Sequence, residues 1–161
     1  MKPAALAVMI AAFAFGYAAT GRASSSAASV PKCPAYAPKF TSIAGVSKQF
    51  VPPNARAVRL CRYYKNTWAT GERLYRQRLI HQSSTIEPLT NSFDRLKEPP
   101  RGIFCVRDDG SEMQVIFAYA GGSVERVVVK LSGCRFASNG KAIRSTTAWL
   151  HKRLIALANN K

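Results

Sequence analysis

Residues 102–140 constrain the fold of this chain more than any other stretch. Met113, Val115, Phe117 and Tyr119 fall at every second position, and Val127, Val129 and Leu131 do the same one strand later. Period two over such lengths is the signature of half-buried β-strands. The breaks fall at Asp109-Gly110, Gly121-Gly122 and Asn139-Gly140, where the second residue of each pair tolerates the positive φ of a tight turn. The stretch therefore reads as a β-meander with hairpin turns at those three places, and with Cys105 and Cys134 near its ends.

The elements before and after it supply a cover. Arg56–Tyr64 and Arg73–Ile80 are rich in β-branched, aromatic and long aliphatic residues, and read as the two strands of a hairpin. Ser84 followed three residues later by Glu87 is a capping-box pattern, and Pro88 falls in the first turn, where its missing N–H costs little. Ile86, Leu89, Phe93 and Leu96 then share one helical face, so residues 85–97 are expected to form an amphipathic helix that Pro99-Pro100 ends. After the meander a last hairpin between 134–138 and 141–144 is expected. Ser145 or Thr146 then caps a second helix, with Trp149, Leu150, Leu154 and Leu157 as its apolar stripe. Antiparallel strands buried on one face need such helices. The expected class is α+β, a two-layer sandwich with both helices on one face of an antiparallel sheet, over residues 56–161.

The N-terminus reads as a secretory signal over residues 1–23, with Lys2 as the basic region and an uncharged run from Ala4 to Tyr17. Small residues then lead to Gly21-Arg22-Ala23, with cleavage after Ala23 or after Ala28. The competing reading is an uncleaved anchor, because positions 3–20 carry no charge and reach the lower limit for crossing a bilayer. A membrane partner enters only through that anchor. Residues 24–55 follow as a linker and lead-in. A Ser/Ala stretch precedes Pro31, Pro34, Pro38, Pro52 and Pro53, whose fixed φ favours extended chain. Four cysteines lie beyond the leader: Cys33, Cys61, Cys105 and Cys134. An even number in an exported chain implies two disulfides, and four cysteines allow three connectivities. The expected pairing is Cys105–Cys134 across the meander, with Cys33–Cys61 tying the lead-in to the first strand.

From about Cys33 onward the chain resembles a group of small secreted actinobacterial proteins for which no activity is established. The matching residues are Phe50-Val51-Pro52-Pro53, Leu60-Cys61-Arg62-Tyr63, Phe104-Cys105, Asp108-Asp109-Gly110-Ser111, the Phe117 and Tyr119 strand, Gly133-Cys134 and Ser138-Asn139-Gly140. Two departures touch strand ends. Val106 stands where proline is expected after Cys105, and Phe136-Ala137-Ser138 stands where Val-Thr is expected before Asn-Gly. The resemblance implies export and a compact disulfide-bonded domain. It carries no catalytic residue and no cofactor.

Residues with chemical potential read more simply as structure. Asp108 and Asp109 are adjacent, so on a strand they would point to opposite faces, and Asp before Gly is a turn former. Glu112 does not complete a calcium loop. His81 and His151 have no Cys or Asp at ligand spacing, no nucleophile elbow surrounds any serine, and Gly121-Gly122-Ser123 lacks the phosphate-loop pattern. No catalytic constellation is visible.

Charge says more about partners. The chain has 24 Lys+Arg against 8 Asp+Glu, and losing Lys2 and Arg22 with the leader still leaves about +14. Arg56, Arg59, Arg62, Lys65, Arg73, Arg76 and Arg78 are interleaved with Tyr63, Tyr64, Trp68 and Tyr75 against one acid, Glu72. Guanidinium groups among aromatics suit phosphate, carboxylate or stacked rings. The competing reading is a solvated strand face over core aromatics. Export argues against nucleic acid as the physiological partner. The expectation is thus a non-enzymatic binding domain for an anionic envelope polymer or an acidic protein, in a secreted or envelope-associated protein. The alternative is an inhibitor of a hydrolase such as a protease, whose exposed loop would be residues 65–72.

Overall fold

The computed structural model describes residues 29–39, 49–65, 71–105 and 108–160. The signal sequence expected over residues 1–23, and the anchor that competes with it, lie outside the described residues. So do Val106 and positions 66–70 of the proposed inhibitory loop.

The order is β1 (Ala57–Lys65), β2 (Glu72–Ile80), α1 (Ser83–Asp94), β3 (Glu112–Ala118), β4 (Val124–Lys130), β5 (Phe136–Ser138), β6 (Ile143–Ser145) and α2 (Ala148–Asn159). The strands form one antiparallel sheet in the order β2-β1-β3-β4-β5-β6. Only the β2-α1-β3 connection leaves the meander pattern. It carries the chain over β1, so that β1 lies between β2 and β3. The α+β class, the two helices and both disulfides, Cys33–Cys61 and Cys105–Cys134, match the reading of the sequence.

The main core fills the space between sheet and helices. Val58, Leu60, Met113, Val115, Phe117, Val127 and Val129 point from alternate strand positions toward Ile86, Leu89 and Phe93 of α1 and Leu150 and Leu154 of α2. Phe93 and Phe117 meet edge to face, with ring centroids 5.5 Å apart. Phe50 and Val51, from the lead-in, are buried in the same core. They are held there by Asn139, whose Nδ2 donates to the Phe50 carbonyl at 2.9 Å.

The opposite face of the sheet is covered too, and by an element without strand or helix periodicity. Val30, Cys33 and Ala37 pack over Cys61, Tyr63 and Ile116, and the Tyr63 hydroxyl donates to the Pro34 carbonyl at 3.1 Å. Residues 35–37 also pair with the outer edge of β2, through Ala37 N–H to Glu72 O and Leu74 N–H to Ala35 O. β3 is consequently buried on both sides, including Glu112 and Gln114. Burial pushes the Glu112 carboxyl up, and the Lys130 ammonium 2.8 Å away works against that rise.

Local expectations failed in four places. Asp109-Gly110 is not a hairpin turn, because residues 103–105 and 108–111 form no strand. The meander instead begins at β3 and ends at β6. The two aspartates explain this, since their side chains satisfy backbone donors that a ladder would use. Gly110 N–H donates to Asp108 Oδ1 and Ser111 N–H to Asp109 Oδ1, each at 2.8 Å. Helix α1 starts at Ser83 after Gln82, whose side chain makes no capping bond, so the Ser84–Glu87 box is absent. The Gln82 carbonyl closes the first turn instead, accepting from both Thr85 and Ile86 N–H. Helix α2 is capped by Thr147, whose hydroxyl accepts from Leu150 N–H at 3.1 Å, and not by Ser145 or Thr146. Trp149 is exposed, and His151 takes a buried place in the stripe.

His151 makes a testable link to pH. Burial, with Arg135 nearby, holds the imidazole below its usual value of 6.5, and a ring nitrogen lies 2.8 Å from Thr146 Oγ1. A histidine depressed in the folded state is protonated more readily when unfolded, so stability falls as pH drops below about 6.5. Thermal unfolding between pH 7.5 and 5.5 should show this slope, and His151→Gln should flatten it.

Candidate anion-binding surface

The hairpin β1–β2 sorts its basic residues by side, and a single irregularity decides the sorting. The register runs Arg62↔Arg76 and then Tyr63↔Leu74, which leaves Tyr75 as an extra residue in β2. With strict alternation, positions 73 and 76 would face opposite ways. The bulge brings Arg73, paired with Tyr64, to the same side as Arg76, paired with Arg62. That is the side on which α2 lies. Glu72 passes to the other side, where its charge acts on Glu112 and Lys130.

The hairpin extends beyond the end of α2, and the exposed part carries alternating rings and guanidinium groups. The Arg62 and Arg76 guanidinium carbons stand 5.6 and 5.3 Å from the Tyr75 ring centre. Arg73 lies 5.7 Å from the ring centre of Tyr36 and donates to its hydroxyl at 3.4 Å. Tyr36, Tyr64 and Tyr75 are each about half exposed, at 51%, 56% and 57%. Rings beneath a guanidinium hold its plane without neutralising its charge. Among the described residues, Arg62, Arg73 and Arg76 make no ion pair with a carboxylate. A shallow depression of about 290 Å³ between Arg76, Gln77 and Ala158–Asn160 lies beside them.

The other predicted site residues fall elsewhere. Arg78 closes the C-terminus of α2, with Nη1 donating to the carbonyls of Leu157 and Asn160 at 2.9 and 3.1 Å. A cation there complements the negative end of the helix, which has no basic residue in its own last turn. Arg62 shares in this contact, donating to Asn159 Oδ1 at 3.2 Å. Arg59 lies in register with Ile116, on the face turned away from the helices. Arg56 stands before the far end of β1. Lys65 is the last residue of β1, in register with Glu72. Tyr63 is fully buried, and Trp68 lies outside the described residues. Tyr36 was not read from the sequence as part of the site. Its position between Pro34 and Pro38, in an extended segment close to Cys33, was the available signal.

The adjacent aspartates form a local structural knot. The Ser132 hydroxyl donates to Asp108 Oδ1 at 2.6 Å and accepts from Asp109 N–H at 3.1 Å. Hydrogen bonds from Ser111 and Ser132 hold the Asp109 carboxyl below the usual range. For Asp108, burial pushes upward and is outweighed by the bonds from Ser132 and Gly110. Carboxylates so held are strongly ionised acceptors and poor proton donors. Among the described residues no group of three His, Cys, Asp or Glu side chains is placed to hold a metal ion. No protein-family model, curated protein or solved structure matches the chain, so the geometry carries the functional argument.

Proposed function

We propose that this protein is an exported, non-enzymatic binding domain that holds an anionic polymer of the cell envelope on the outer end of its β1–β2 hairpin. One observation carries the reading. Arg62, Arg73 and Arg76 stand on one side of the sheet, each stacked near a tyrosine ring and none paired with a described carboxylate. A row of unneutralised guanidinium groups interleaved with rings suits a chain of repeating anions better than a single small ion. The two disulfides suit an oxidising compartment, and the strong positive charge favours such partners. Among the described residues no helix is long and apolar enough to cross a membrane.

The test is the salt dependence of binding by the full chain to a glycerol-phosphate polymer, with poly-glutamate as the model of an acidic protein. Affinity for the phosphate polymer should fall linearly on a log–log plot against salt. Replacing Arg62, Arg73 and Arg76 together by Gln should lower the slope by roughly two. Failure to bind either polymer at low salt would sink the proposal. A preference for poly-glutamate would transfer the reading to an acidic protein partner.

A further inference from the structure

A second site lies at the opposite end of β1, away from the arginine–tyrosine surface. A cavity of about 250 Å³ opens between residues 53–56 and one side of α1. Its inner wall is apolar, formed by Ile86, which is buried, and Ala55, which packs against the core. Its rim is polar and carries both signs of charge: Asn54 and Arg56 come from the segment before β1, and Glu87 and Asn91 from α1. Small-molecule sites combine an apolar body with a few placed polar groups in this way.

The rim charges are held apart. Arg56 N–H donates to the Ala118 carbonyl at 2.7 Å, which fixes the start of β1 against β3. Glu87 is fixed by the helix. The two make no ion pair with each other or with any other described residue. Asn54 has φ 65°, a left-handed conformation that asparagine adopts more readily than other non-glycine residues.

We infer that this cavity binds a free α-amino acid with a small apolar side chain. The carboxylate meets the Arg56 guanidinium, whose two parallel N–H groups match its geometry. The ammonium meets Glu87, the side chain rests on Ile86 and Ala55, and the two asparagine amides supply the remaining hydrogen bonds. A ligand of one sign would leave the opposite rim charge unmatched. The volume lies just below the range of about 300–1,000 Å³ typical of drug-sized ligands, which suits one residue-sized zwitterion.

The experiment is a two-dimensional amide NMR titration of the full chain with alanine and with valine, each as both enantiomers. Sodium acetate, methylammonium chloride and the dipeptide Ala-Ala are the controls. Saturable shifts confined to residues 53–56 and 83–91 are expected with at least one amino acid. Arg56→Gln and Glu87→Gln should each weaken that binding by at least about tenfold, and the single-charge controls should not saturate. Both side chains are exposed, so neither substitution removes a core contact, and thermal unfolding checks that each variant is folded. The inference is overturned if no amino acid saturates at tens of millimolar or if both substitutions leave the affinity unchanged. It is equally overturned if acetate or Ala-Ala binds as tightly as alanine.

Discussion

Phe117→Ala should destabilise the protein by about 3–5 kcal/mol, the largest single-residue effect expected here. Phe117 is fully buried on β3, in the middle of the sheet, and its ring meets Phe93 of α1 edge to face. Truncation would remove that contact and leave a cavity between sheet and helix which neither rigid element can close. Domains of this kind are stable by only about 5–15 kcal/mol, so the variant should unfold at markedly lower urea concentration. Leu79→Ala, at a partly exposed position on β2, should change stability by no more than about 0.5 kcal/mol. Equal midpoints for the two variants would contradict the placement of the core between sheet and helices.

The second large effect separates the two disulfides. Their sequence separations are 28 and 29 residues, so loop-closure entropy predicts nearly the same loss for each, about 3–4 kcal/mol. The folded surroundings differ. Cys33–Cys61 anchors the segment that covers Tyr63, Ile116 and Cys61 itself, all fully or almost fully buried. Cys105 lies in an exposed loop next to Phe104, which is 98% exposed. Replacing Cys33 and Cys61 together by Ala should therefore lower the urea midpoint more than replacing Cys105 and Cys134. It should also expose the Tyr63 hydroxyl, whose pKa burial, with Glu112 nearby, pushes up to about 12. Ultraviolet titration should then show one more tyrosine ionising in the ordinary range near 10. A larger loss from the Cys105–Cys134 pair would mean that residues 29–37 contribute little to the fold.

The contrast between these disulfides reflects what was legible in the sequence. Met113, Val115 and Phe117 announced β3 by their alternation, while on the second face the polar Glu112 and Gln114 masked a burial that only Ile116 and Ala118 hinted at. The cover on that face comes from residues 29–37, whose prolines produce neither helical nor strand periodicity. The Cys33–Cys61 pairing was the one available pointer to where that segment lies. Trp149 illustrates a different limit. Its size suggests a core residue, yet capping by Thr147 sets a stripe through Leu150, His151 and Leu154 and leaves Trp149 in solvent.

The candidate site was legible as a composition and not as an arrangement. Seven basic residues were apparent between Arg56 and Arg78, but sequence spacing treats them as one group. The fold divides them: Arg78 caps α2, Arg59 faces away from the helices, and Arg56 borders a separate cavity. Arg73 and Arg76 share a side only because Tyr75 is bulged, and no local sequence rule marks that bulge.

The most direct measurement compares two variants of equal charge. One replaces Arg62, Arg73 and Arg76 by Gln. The other replaces Lys97, Arg101 and Arg126, which are exposed, as Arg73 and Arg76 are, but lie outside the arginine–tyrosine surface. Both lose three positive charges, so any effect of net charge alone is matched. Binding of the full chain to the glycerol-phosphate polymer at fixed salt should weaken by at least about tenfold in the first variant and stay nearly unchanged in the second. Equal weakening of both would show that the polymer responds to total charge and not to the surface formed by the bulged hairpin.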